Sequence, residues 1–309
     1  MSEEHPIIAV TGASGAGTTV VQQAFKEIFF RQKINAAFVQ GDGFLRYGDE
    51  ETEECISQAQ ADNQQISCYG PDLNDFHSLE SCFKRYSSSG EGRCRQKVNG
   101  ENHHLYSQAE GEFTDWQDIP AGSDCLFYEG MHGGVVAETW TRRKCDSDEG
   151  ITNDRRSPHS KGVNAAQYVD LLIGVAPAIN LEWIQRIHHD RVNRKQSPEQ
   201  VTQNILQQLQ DYIHFIVPQF SISDINFQRM PMVDTSNPFD TQPVPTEKES
   251  MVVVSFKAPS SHDLQSYVKR IDGAFLSKRD CIVIPGGQMQ HALDVICAPL
   301  IEVLIERKK

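Results

Sequence analysis

The chain has 309 residues, enough for one large α/β domain or two smaller ones. Lysine and arginine total 29 against 42 aspartate and glutamate, a net charge of -13 that repels polyanions and argues against nucleic acid as a partner. The 8 cysteines form no C-x-x-C pair and the 11 histidines no H-E-x-x-H, so neither a disulfide framework nor a dedicated structural metal is expected.

Ile7-Ile8-Ala9-Val10 reads as a buried strand running straight into a glycine loop, with no charged-then-apolar leader before it. Val21, Ala24, Phe25, Ile28 and Phe29 then recur on one helical face. Further strands are predicted at Ala36-Ala37-Phe38-Val39, ending at Gly41-Asp42, at Cys125-Leu126-Phe127-Tyr128, ending at Glu129, and from Val169 to Val175. The longest apolar region noted, "VDLLIGVAPAI", is too short to span a bilayer. The expectation is therefore a soluble, cytoplasmic protein without a membrane partner.

Helical patterns run from Leu181 to Arg194 and from Pro198 to Ile216, the second with Ser197 as N-cap. "MVVVSF" and "CIVI" strands and a closing helix, Met289 to Glu306, complete the chain. Strands alternating with helices predict a mostly parallel sheet covered on both faces, in a single domain over 1–309 with C-terminal additions. The segment 141–162 is charged and aperiodic, and is expected to be a surface insertion. In open parallel sheets the functional groups gather just past the strand C-termini, where Asp42 and Glu129 stand.

The loop Thr11-Gly-Ala-Ser-Gly-Ala-Gly-Thr-Thr19 has the strand–loop–helix setting of a phosphate-binding loop, with glycines whose amides face phosphates and a hydroxyl for a metal. Thr18 occupies the position where such loops carry lysine. The glycines at 12, 15 and 17 do not match a dinucleotide turn, and the short-chain dehydrogenase variant, T-G-x-x-x-G-x-G, is one residue too long; a tight turn without a ligand stays open as the plain alternative. On a helix Arg186, Asp190 and Arg194 share one face, where they form either a replacement source of positive charge or an ordinary salt-bridge ladder.

"HPIIAVTGASGAGTT", "FYEGMHGGVV", "INLEWIQRIHHDR", "VPQFSISDINFQRMPMVDTSNPF" and "IVIPGG", in that order, resemble the phosphoribulokinases of the proteobacterial type nearly end to end. The resemblance implies a P-loop kinase fold related to uridine kinase, and a Calvin-cycle reaction. In it the γ-phosphate of ATP passes, with Mg²⁺, to the 1-hydroxyl of ribulose 5-phosphate. It also implies a homo-octamer. Threonine in place of the loop lysine is common in this family. Carried onto this chain, the resemblance makes Asp42 the general base and Asp190 the acid of a lid-like segment over 180–195. Gly12, Ala13, Ser14, Gly15, Ala16, Gly17, Thr18 and Thr19, with Arg186, would bind the nucleotide. Thr19 and Glu129 would serve the metal, and Arg194 and Arg31 the sugar phosphate, with Arg93 and Arg95 as further phosphate contacts.

The acceptor side departs from the family pattern. Leu45 replaces a histidine, Asp49 an arginine, and His189 a lid arginine, while Gln207 and Gln208 replace a basic pair linked to effector response. Asp49 inverts a charge where a substrate phosphate is expected, which keeps two alternatives alive. One is a kinase for another sugar or a nucleoside; the other is a non-catalytic nucleotide-binding protein.

Overall fold

The computed structural model describes residues 4–12, 18–62, 64, 66–100, 102–137, 162–193, 195–239 and 244–307. The first half of the chain carries β1 (Ile7–Gly12), α1 (Thr18–Gln32), β2 (Ala36–Gln40), α2 (Asp49–Ala61), α3 (Phe76–Ser89), β3 (Arg93–Cys94), β4 (Gln117–Asp118) and β5 (Cys125–Gly130). Then come β6 (Val136–Ala137), β7 (Val163–Asn164), β8 (Leu171–Pro177), α4 (Ile179–Asn193), α5 (Pro198–Asp211) and α6 (Val217–Ile222). The last third holds β9 (Ile225–Pro231), β10 (Ser250–Phe256), α7 (Leu264–Arg270), β11 (Phe275–Lys278), β12 (Cys281–Pro285) and α8 (Met289–Glu306).

The principal sheet has the strand order β11-β12-β10-β9-β8-β1-β5-β2. The β2–β5 and β8–β9 ladders are parallel, whereas β9–β10, β10–β12 and β12–β11 are antiparallel. The result is an α/β fold with a mostly parallel central sheet and an antiparallel extension at one edge. The sequence reading missed β9 and β11. In β9 the buried Ile225 and Phe227 alternate with Asn226, Gln228 and Arg229, so the strand lacks the continuous apolar run of β1 or β5.

The chain divides into two compact units, a division that the expectation of one domain did not include. The first comprises Met1–Ala9, Ala36–Asp170 and Gln207–Ile222; the second comprises Val10–Asn35, Leu171–Leu206 and Ser223–Lys309. In the first, α3 buries Phe76, Leu79, Cys82, Phe83 and Tyr86 at helical spacing. Asp75 caps it through Ser78 N–H at 3.1 Å, and Gly90 ends it at φ +70°, a left-handed conformation that glycine adopts without a Cβ clash. Asp170 Oδ2 accepts the Ile7 N–H at 2.9 Å, so its buried carboxylate satisfies a strand amide.

In the second unit the predicted face of α1 is buried in full: Val21, Ala24, Phe25, Ile28 and Phe29 are each almost inaccessible. Full burial of such side chains stabilises by about 1.5–3 kcal/mol apiece for the larger ones. α1 packs on α8, with Gln32 Nε2 donating to the Ala298 carbonyl at 3.0 Å and Gln290 Nε2 to Glu27 at 3.0 Å. By length and hydropathy the stretch Gly286–Glu306 would suffice to cross a membrane, a feature the sequence reading passed over. Its buried face, Ala292, Leu293, Val295, Ile296, Cys297 and Ile301, together with its polar ties to α1, gives it the role of a core helix.

The helix expected over Pro198–Ile216 ends as α5 at Asp211 and continues through a π-helical turn, Tyr212–Ile216. Its cap is as expected: Ser197 Oγ accepts from Gln200 N–H at 3.3 Å and Gln200 Oε1 accepts from Ser197 N–H at 2.9 Å. Of the segment 141–162 only Gly162 is among the described residues, so the expected surface insertion lies outside them.

Candidate active site

In the first unit two parallel strands end together. β2 and β5 pair in register, Gln40 opposite Glu129, and each then runs into a glycine. A Cβ on Gly41 would lie 2.9 Å from Gly130 Cα, and one on Gly130 would lie 2.7 Å from Gly41 Cα. Only two side-chain-free residues allow the exits to close this tightly. Asp42 follows one glycine and Glu129 precedes the other, so two carboxylates leave the same end of one strand pair. That position was legible in the sequence.

Asp42 sits in a short 3-10 turn, Gly41–Phe44, with Phe44 buried edge-on against Trp116 at 5.7 Å. The aspartate is open to solvent, yet the protein around it removes enough hydration to raise its pKa. Asp49 adds to that shift, and the positive charge of Lys97 opposes it. The segment from Arg93 to Lys97 fastens this turn. Arg95 Nε donates to the Gly43 carbonyl at 2.9 Å and Nη2 to the Leu45 carbonyl at 2.5 Å. Its guanidinium lies 3.7 Å from the Phe113 ring centroid and 4.9 Å from that of Trp116. A Cβ on Gly43 would strike the Arg95 carbonyl at 2.1 Å, so backbone meets backbone at this point.

Arg95, expected from sequence as a phosphate contact, holds the turn that bears Asp42 in this structure. Arg93 is likewise engaged, donating to the Trp116 carbonyl at 3.0 Å and lying 3.6 Å from Asp118. Asp49 is the first residue of α2, where a carboxylate is favoured by the helix N-terminus, and it pairs with Lys97 Nζ at 2.6 Å. The expected charge inversion at position 49 is therefore locally neutralised. Sequence reasoning missed Lys97, because its partner lies 48 positions away and no spacing rule reports such a pair.

Gln219, from the "VPQFS" motif, is the other residue missed. It is buried, and its Nε2 donates to the Met131 carbonyl at 2.9 Å and the Phe215 carbonyl at 2.6 Å, while its Oε1 accepts the Gly134 N–H at 2.9 Å. One amide thus fixes the turn that follows Glu129. His132 in that turn is buried against Phe76, with ring centroids 4.7 Å apart, and burial pushes its pKa down to about 3. It stays neutral and serves packing rather than proton transfer.

In the second unit β1 ends at Gly12 and α1 begins at Thr18, so the frame of the glycine loop is as expected. Ala13, Ser14, Gly15, Ala16 and Gly17 lie outside the described residues, as do the side chains of Thr18 and Thr19, and Arg194. On α4, Arg186 Nε lies 3.5 Å from Asp190 Oδ2, and His189 Nδ1 lies 2.9 Å from Asp190 Oδ1. Asp190 is buried, and its backbone carbonyl accepts the Gln196 N–H at 3.3 Å. Arg31 at the end of α1 is ion-paired to Asp294 of α8 and mostly exposed, which makes it a tie between two helices. In the same unit Arg229 of the "NFQR" motif spans β9 and β10, donating to the Ser250 hydroxyl at 3.2 Å and the Pro245 carbonyl at 2.5 Å.

No cluster of three His, Cys, Asp or Glu side chains suited to a metal occurs among the described residues. The donors at the strand ends are carboxylate oxygens, without thiolate or imidazole. Such a set suits Mg²⁺, which keeps most of its waters and arrives bound to phosphates rather than entering a protein cage.

Residues 7–236 match the profile of the Phosphoribulokinase / Uridine kinase family. The chain is 43% identical to a phosphoribulokinase of Nitrobacter vulgaris over 311 aligned positions, covering 100% of this chain and 99% of that one. It is 44% identical to a phosphoribulokinase of Xanthobacter flavus with the same coverage. Among solved structures, the phosphoribulokinase from Rhodobacter spheroides superposes with a TM-score of 0.85 at 39% identity, over 99% of each chain. With a profile match over most of its length and relatives of this identity from end to end, the chain belongs to the phosphoribulokinase / uridine kinase family.

Proposed function

We propose that this chain is an ATP-dependent phosphoribulokinase that converts ribulose 5-phosphate to ribulose 1,5-bisphosphate. The observation that carries this reading is the two acidic residues at the shared end of β2 and β5, Asp42 and Glu129, in a chain of this family. Asp42 accepts the proton of the 1-hydroxyl as its oxygen attacks the γ-phosphorus. The bond from that phosphorus to the bridging oxygen breaks, and ADP leaves. Its pKa, raised by desolvation, makes Asp42 a stronger base than an ordinary aspartate. The clamp by Arg95 fixes where that carboxylate stands, which is most of what a phosphoryl-transfer site contributes. Glu129 and Thr19 would hold Mg²⁺, which, when bound with the nucleotide, would supply neutralisation of the phosphate charge. Amides of Gly12 to Thr19 cradle the triphosphate, and the α4 segment with Arg186, Asp190 and Arg194 acts at its outer end. A homo-oligomer in a soluble, cytoplasmic setting belongs to the same reading and is checked by size-exclusion with light scattering.

The alternative of an uncharged acceptor was motivated by Leu45 and Asp49, and the pairing of Asp49 with Lys97 answers the second of these. An assay of ADP release against ribulose 5-phosphate, ribulose, uridine and other sugar phosphates tests the reading. Turnover is expected to be highest with ribulose 5-phosphate, and preference for a neutral acceptor would reject it.

A further inference from the structure

The proposal here rests on the phosphoribulokinase reading and identifies the acceptor's anchor within it. The segment 93–97 presents alternate cations, Arg93, Arg95 and Lys97. Arg93 is committed to Trp116 and Asp118, and Arg95 to two carbonyls and two aromatic rings. Lys97 differs. Its ammonium carries three donors, and its ion pair with Asp49 takes one. Its side chain is 19% exposed and that of Asp49 62%, so the cation is the sheltered member and the carboxylate the one free to turn toward water. Its backbone is held on both sides, by a bridge to Phe113 and by Asn102 Nδ2 donating to its carbonyl at 3.0 Å.

Lys97 and Asp49 are also the two charges felt at Asp42, the proposed base. A substrate whose hydroxyl faces Asp42 and whose dianionic phosphate lies at the far end of a five-carbon chain needs a cation within one substrate length of that base. We propose that Lys97 is the specificity-determining residue for the acceptor, its ammonium receiving the 5-phosphate, with Asp49 as a placeholder that the phosphate displaces. The exchange is chemically cheap: an ion pair with an exposed carboxylate adds little net stability, and a lysine ammonium rotates between acceptors as a point charge. Asp49 thereby holds the lysine in place in the free enzyme and competes with phosphate in the complex.

A bridge that merely fastened α2 would behave differently, since removing either partner would then have the same effect. The test uses the full-length protein, Lys97→Met, Lys97→Arg and Asp49→Asn, with steady-state kinetics and calorimetric binding of ribulose 5-phosphate and of Mg²⁺–ATP. Lys97→Met is expected to weaken ribulose 5-phosphate about 10- to 100-fold in both KM and Kd, with Mg²⁺–ATP binding unchanged. Lys97→Arg restores most of that loss, and Asp49→Asn tightens ribulose 5-phosphate. If Lys97→Met and Asp49→Asn shift acceptor affinity in the same direction, or if Lys97→Met weakens ATP as much as the acceptor, the assignment is wrong. Binding separates this proposal from the functional reading. Wild-type protein that binds ribulose 5-phosphate without phosphorylating it refutes the kinase reading, while Lys97 is still judged on the binding data. Wild-type protein that does not bind it refutes both.

Discussion

Arg95→Ala probes whether the Asp42 turn is positioned or merely present. The substitution removes the bonds to the Gly43 and Leu45 carbonyls, at 2.9 and 2.5 Å, and the contacts with Phe113 and Trp116. A hydrogen bond from a charged donor contributes about 1.5–3 kcal/mol, and a cation over a ring about 0.5–2 kcal/mol. These terms share one side chain, and Arg95 is only half buried, so water reaches the vacated carbonyls. A net loss of about 2–4 kcal/mol is expected. Part of it is local, because the 41–45 turn loses its only fork-shaped clasp among the described residues. Displacing a catalytic group by about 1 Å costs on the order of 100-fold in rate. Urea unfolding, hydrogen exchange over residues 41–46 and steady-state kinetics form the assay. The expected result is faster exchange in that turn and kcat lowered about 100-fold, with KM for ATP within about twofold. Arg95→Lys recovers little, since an ammonium cannot reproduce the planar fork. A variant that loses the stability but keeps kcat would refute the reasoning, because the clamp would then be structural only.

Three further outcomes follow from the same geometry. His132 has a folded-state pKa near 3 against 6.5 when unfolded, so only the unfolded chain takes up its proton between those values. Stability from this group is complete above pH 6.5 and falls as the pH drops, by about 2 kcal/mol at pH 5; His132→Leu should flatten that slope in urea titrations at several pH values. The acid limb of kcat/KM should titrate above the ordinary aspartate value of 3.8, moving up in Lys97→Met and down in Asp49→Asn, because Lys97 lowers and Asp49 raises the Asp42 pKa. Gln219→Leu removes the bonds to the Met131 and Phe215 carbonyls and the Gly134 amide, for a loss of about 3 kcal/mol in unfolding free energy that Gln219→Glu does not rescue.

The legible part of this protein was what short-range pattern controls. An apolar run, a glycine loop and a 3.6-residue face place β1, Gly12 and α1, and a strand followed by Gly-Asp places Asp42. Position 129 was legible for the same reason. β9 was not, because its alternating Asn226, Gln228 and Arg229 are strand residues only by virtue of neighbours on either side. Side-chain partnership was harder still. Arg31 and Arg95 carry the charge expected of phosphate ligands, and in the fold the first meets Asp294, 263 residues away, and the second carbonyls about fifty residues away. Asp49 read as a lost cation because Lys97, its neutraliser, has no sequence signature. Charge in a motif position indicates what a residue could bind; the partners it holds in the fold lie at distant positions that spacing does not report.

The central claim is that Asp42 deprotonates the acceptor hydroxyl. Its most direct test compares wild type and Asp42→Asn in single-turnover transfer from radiolabelled ATP to ribulose 5-phosphate, with Mg²⁺–ATP binding measured in parallel. The account predicts labelled ribulose 1,5-bisphosphate from wild type, a rate about 10²–10⁴-fold lower in the variant, and unchanged nucleotide affinity. Equal rates from the two proteins, or no bisphosphate from wild type, would contradict it.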